Sequence, residues 1–120
     1  MKHFEYFETK YDSEIIEICL ANPMYFDVRQ FEELRDEMAD FVNTFEPKKL
    51  IVNFSHVRFC STAVISALMV LKDRVEKFGG QVKFCEMNEA VRESFANLKL
   101  DGPVFEIHST AAGALAGFGR

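Results

Sequence analysis

Phe54-Ser55-His56-Val57-Arg58-Phe59-Cys60-Ser61-Thr62-Ala63-Val64 is the stretch around which this chain is organised. Overlapping its start, Leu50-Ile51-Val52-Asn53-Phe54 is a short apolar run of the kind that forms a buried strand. After it, residues 61–78 read as a helix, because Val64, Leu68, Leu71, Val75 and Phe78 recur at helical spacing on one narrow face. Cys60, Ser61 and Thr62 therefore stand where a strand and loop turn into a helix. Free backbone N–H groups and a partial positive charge at such a place favour an anion or a phosphate. Small hydroxyl residues are also good N-caps, and that structural role accounts for the same residues equally well.

Working outward, the Gly79-Gly80 pair ends this helix, with Lys77 in its last turn, and residues 81–85 form the next strand. Residues 89–98 read as a short helix with Val91, Phe95 and Leu98 inward. Asp101-Gly102-Pro103 is a turn, residues 104–107 a last strand, and Ser109 the cap of a final helix running to Leu115. The tail from Gly117 to Arg120 is expected to fray. Towards the N-terminus, residues 27–45 are a helix with the stripe Phe31, Leu34, Met38, Phe41, Val42 and Phe45, capped by Asp27 with Gln30 and closed by Pro47. Its opposite face, with Glu32, Glu33, Asp36 and Asp40, reads as a solvated surface. Residues 4–8 and 14–20 are two strands joined at Tyr11-Asp12-Ser13 into a hairpin, and Asn22-Pro23 breaks the second. The order of helices and single strands implies parallel pairing through right-handed crossovers, with the hairpin making the sheet mixed. The expectation is an α/β fold with a mixed four- to five-stranded sheet and about four helices.

Composition narrows the function. At 120 residues the chain is sized for one domain spanning 1–120, and 48% hydrophobic residues with 13 Phe suffice for a core. A net charge of −5 with scattered basic residues argues against a nucleic-acid surface and against attraction to anionic membranes. No apolar run approaches the ~20 residues that span a bilayer, so no membrane insertion is expected. The N-terminal residues show no secretory h-region, and the three cysteines, Cys19, Cys60 and Cys85, form no CxxC pair. A reducing, cytoplasmic setting is expected, with no metal and no cofactor. Glycine-rich phosphate-binding fingerprints are missing, and His3 and His56 read as surface or loop residues.

The order of elements, the length and the central stretch resemble the STAS domain, named for sulphate transporters and anti-sigma factor antagonists. The family's pattern is an apolar strand ending in Asp, a loop, Asp-Ser-Ser/Thr-Gly opening a helix, then a Gly-Gly turn and another apolar strand. The counterparts here are Leu50 to Phe54, Phe59-Cys60-Ser61-Thr62-Ala63-Val64, and Phe78-Gly79-Gly80-Gln81-Val82-Lys83-Phe84. Three positions depart: Asn53 replaces the Asp at the strand end, Cys60 the Asp before the Ser, and Ala63 the Gly. The resemblance implies a non-enzymatic regulatory module that binds an anti-sigma factor or a similar serine-kinase-like partner. Ser61 matches the family's phosphorylation site, with Thr62 as the second hydroxyl. Arg58, Phe59, Cys60, Ser61, Thr62, Ser66 and Met69 are then the expected partner surface, with Ile65 at its flank.

Two other classes stay open. A non-switching adaptor subunit, of a transport or scaffold assembly, would use the same surface without phosphate. A small cysteine-dependent enzyme would use Cys60, because a thiol at a helix start can have a lowered pKa; it would need a base, for which His56 and His108 are the candidates.

Overall fold

The computed structural model describes residues 4, 6–12, 14–21, 24–25, 28–98 and 105–118. In chain order the elements are β1 (Phe7–Asp12), β2 (Ile15–Leu20), β3 (Met24–Tyr25), α1 (Val28–Phe45), β4 (Lys49–Asn53), β5 (Phe59–Cys60), α2 (Thr62–Lys77), β6 (Gln81–Cys85), α3 (Glu89–Asn97), β7 (Glu106–His108) and α4 (Ala111–Gly117). A five-stranded sheet runs β1-β2-β4-β6-β7. The first pair is an antiparallel hairpin and the remaining pairs are parallel. This is the mixed sheet and helix set that the sequence predicts.

Strand order from β2 to β7 follows chain order, so each crossover advances one place in the same direction. Right-handed connections then put α1, α2 and α3 on one face of the sheet. That face holds the main core. Ile18, Leu20, Leu50, Val52, Val82 and Phe84 point into it, against Leu34, Met38, Phe41, Leu68, Leu71, Val75, Val91 and Phe95. Period-two alternation sends Ile15, Ile51 and Cys85 to the other face, where Ala114 of α4 covers them beside Ala111, Leu115 and Phe118. Buried Lys83 lies on this second face; its ammonium pairs with Glu106 and sits 4.8 Å from the centre of the Phe118 ring. The Lys83 bond, and a second from His108, hold the Glu106 carboxyl below its ordinary pKa.

Several boundaries differ from expectation. The first strand runs Phe7–Asp12 rather than 4–8, so Tyr11 and Asp12 belong to the strand and not to the turn. Phe4 leaves the sheet to stack on Phe7 at 4.7 Å, and the Tyr6 amide donates to Glu37 at 2.8 Å. Leu98, expected inward, is the C-cap of α3 and 45% exposed. The cap of α4 is Thr110, whose hydroxyl accepts the Gly113 amide at 3.0 Å, not Ser109. Gly117 is helical rather than frayed. The expected cap at Asp27, the break at Asn22-Pro23, the turn at Asp101-Gly102-Pro103 and residues 119–120 lie outside the described residues. The small parallel pair β3–β5 has no counterpart in the expectation.

Candidate functional site

The site is assembled where β4 ends. The Asn53 side chain accepts the Ser55 amide at 2.8 Å and donates to Glu17 at 2.7 Å. It thereby turns the chain out of the sheet while tying the turn to β2. The Val57 amide closes onto the Phe54 carbonyl at 2.9 Å. Asn88, the N-cap of α3, donates to the Val57 and Arg58 carbonyls at 3.4 and 3.2 Å. Phe59 and Cys60 then pair with Met24 and Tyr25. The loop before α2 is therefore held from three sides, by β2, α3 and β3.

Ser61 follows in an extended conformation, φ −76° and ψ 162°, as the N-cap of α2, and its hydroxyl accepts the Val64 amide at 3.4 Å. That bond is long for a capping contact. The Ser61 side chain is half-buried, Thr62 and Ala63 are exposed, and Arg58 is exposed on the loop. Phe59 is 45% exposed and Met69 37%. Ser66 is exposed, but its hydroxyl is turned back onto the Thr62 carbonyl at 3.1 Å. No acidic side chain sits in the first turn of α2, whereas α3 carries Glu89 there. The positive end of the α2 dipole thus has no carboxylate of its own helix to answer it, a setting that favours an added anion.

Two of the expected surface residues are not on the surface. Cys60 is 2% exposed, because β5 turns its side chain into the core, and Ile65 is 1% exposed. Burial pushes the Cys60 thiol up to about 12, the opposite of the activation that a nucleophile needs. His56 is exposed, and His108 is engaged with Glu106 at 2.6 Å. Two residues were missed. Val70, 43% exposed, extends the apolar patch beside Met69. Asn88, whose capping position is readable in Asn88-Glu89-Ala90-Val91, clamps the loop. Among the described residues no group of three His, Cys, Asp or Glu side chains converges as a metal site. No described helix is long and apolar enough to cross a membrane.

The model of the STAS domain matches residues 6–114. The chain belongs to the STAS domain family. By sequence alone no curated protein matches it. Solved STAS structures show the same fold at low identity. An anti-sigma-factor antagonist (STAS) domain protein of Planctomyces limnophilus superposes with a TM-score of 0.82 at 16% identity, over 95% of this chain and 98% of that one. A candidate anti-sigma factor antagonist of Thermotoga maritima gives 0.81 at 16%, over 95% of each chain. The Bacillus cell fate determinant SpoIIAA, solved in its phosphorylated form, gives 0.66 at 17%, over 93% of this chain and 98% of that one. The protein is thus a STAS domain whose fold is that of anti-sigma factor antagonists.

Proposed function

We propose that this STAS domain is a non-enzymatic regulatory module that docks a partner over the start of α2 and is switched by phosphorylation of Ser61. The observation that carries the reading is Ser61, partly exposed and capping weakly at a helix head with no acidic first turn, beside exposed Phe59 and Thr62. Arg58, Phe59, Ser61, Thr62, Ser66 and Met69 form the surface, Val70 extends it, and Cys60 supports it from beneath. A phosphate there adds about −1.5 to −2 charges at a place where the helix tolerates them. A partner closing over it must desolvate that charge, so the phosphorylated form releases the partner while the fold persists. Likeness to SpoIIAA, known in a phosphorylated form, supports the choice of switch. The proposed partner is a cytoplasmic anti-sigma factor or a similar serine-kinase-like protein.

The test uses an anti-sigma-factor kinase from the same genome. With ATP it should add one phosphate, mapped by mass spectrometry to Ser61 and lost in Ser61→Ala, with Thr62 the next site to check. By calorimetry, Ser61→Asp and Met69→Lys should each weaken binding by about tenfold or more, as charges placed in a desolvated contact do. Wild-type affinity in both variants, with circular dichroism confirming their fold, would move the docking surface elsewhere. Loss of binding without phosphorylation of Ser61 would make the domain an adaptor.

A further inference from the structure

The free edge of the main sheet carries its own complement. β1 closes one end of the strand order, and among the described residues it pairs with β2 alone. It is paired with β2 at every position from Phe7 to Asp12, with no bulge and no proline, whereas β7 at the opposite end has three residues. Natural edges of this length are normally blunted by bulges, prolines or covering segments. Among the described residues the only such devices are two exposed charges of opposite sign, Glu8 and Lys10, on the same face of the strand. The other face carries Thr9 and Tyr11, the latter 51% exposed.

We propose that β1 pairs antiparallel with β1 of a second copy of this chain, about a two-fold axis at Thr9, so that two sheets join into one. Residues directly opposite in an antiparallel pair share a face, so the axis must pass through a residue. At Thr9 it sets Glu8 against the copy's Lys10, twice, and Tyr11 against the copy's Phe7. At Lys10 it would set Lys10 on its own copy and Glu8 on Asp12. At Glu8 it would set Glu8 on its own copy. At Tyr11 it would match Lys10 with Asp12 but pair only three residues of each strand, since β1 ends at Asp12. Opposite charges directly across a pair stabilise it and like charges oppose it, so the Thr9 register is selected. The interface is isologous and closes, as a two-fold dimer requires. It uses no residue of the α2 docking surface.

Sedimentation velocity across a concentration series tests this. Wild type should dimerise. Glu8→Lys and Lys10→Glu, each shown folded by circular dichroism, should self-associate about tenfold or more weakly, because each puts like charges across the two-fold. Mixed together, the two variants should pair with each other at wild-type strength. Thr9→Cys, which does not depend on charge, should oxidise to a covalent dimer, and Glu8→Cys should not. A wild type that stays monomeric at several hundred micromolar overturns the proposal. A dimer untouched by either reversal, or variants that fail to pair when mixed, also overturns it.

Discussion

Burial keeps all three thiols protonated well past the pH at which an exposed cysteine ionises. Desolvation pushes Cys60 up to about 12; Cys85 also reaches about 12, with Glu17 and Glu86 adding to its burial. Cys19 rises to about 11, chiefly by burial and then by the charge of Glu17. The ordinary value is 9.0, so the unfolded chain releases these protons first. Stability contributed by the neutral thiols is complete below that pH and is lost progressively as pH rises towards the folded values. Urea midpoints measured between pH 7.5 and 10.5 should therefore fall from about pH 9 upward, and less steeply in Cys60→Ala than in wild type. Identical slopes in the two proteins would mean that Cys60 is not the buried acid described. The inward turn of Cys60 was not legible in the sequence. A residue before an N-cap can face either way, and what decides it here is a two-residue bridge to Tyr25, a distant pairing with no local signal. Ser61 was legible, because a hydroxyl at a helix start is a local feature.

Among the elements, α2 followed its sequence most closely, because its apolar stripe and its Gly-Gly stop are both local. Val64, Leu68, Leu71 and Val75 are all at most 1% exposed. Leu68→Ala should cost about 2–5 kcal/mol in urea unfolding, as truncation at a closed core site does. A loss well under about 1 kcal/mol would mean that the site is not packed as described. The two glycines after α2 are needed for different reasons. Gly79 has φ +79° and open space around its missing side chain, whereas a Cβ on Gly80 would come within 2.6 Å of the Pro47 carbonyl and 2.7 Å of Val75. Gly79→Ala should cost about 1 kcal/mol of backbone strain, and Gly80→Ala more, because the β4 approach has to shift. Equal midpoints for the two would contradict that close approach. The hairpin was legible as a hairpin but not in its limits. Phe4, Tyr6 and Phe7 offer two alternations offset by one residue. Packing of Phe4 and Phe7 on Phe41 of α1, at 5.9 and 5.8 Å between rings, settles which is used.

At the scale of the whole molecule, three helices cover one sheet face and, among the described elements, only the seven-residue α4 covers part of the other. Alternation of side chains along each strand made the main core readable in advance. The second, smaller core was not, since it depends on where a short and weakly patterned helix comes to rest. Removing residues 109–120 would uncover Ile15, Ile51 and Cys85 together with the Lys83 pair. The shortened chain should bind a hydrophobic dye and melt several degrees lower, since about 1 kcal/mol moves the midpoint of a domain this size by roughly 4–8 °C. An unchanged melting curve without dye binding would show that α4 is an ornament to the fold. The proposed docking surface combines α2 of the first face with loops tied to β2, α3 and β3, so it should keep its shape after that removal.

The agreement between strand order and chain order has a consequence for how the protein is made. Within the five-stranded sheet, from β2 onward, every strand emerging from the ribosome finds its partner already synthesised, at the growing end of the sheet. No later strand has to be inserted between earlier ones. The sheet can therefore lengthen in step with translation, each crossover helix closing over the strand just added, while β7 and α4 wait for the end of the message. Nascent chains halted after β6 should already protect β2 and β4 from protease, and those halted before β4 should leave β2 open to cleavage.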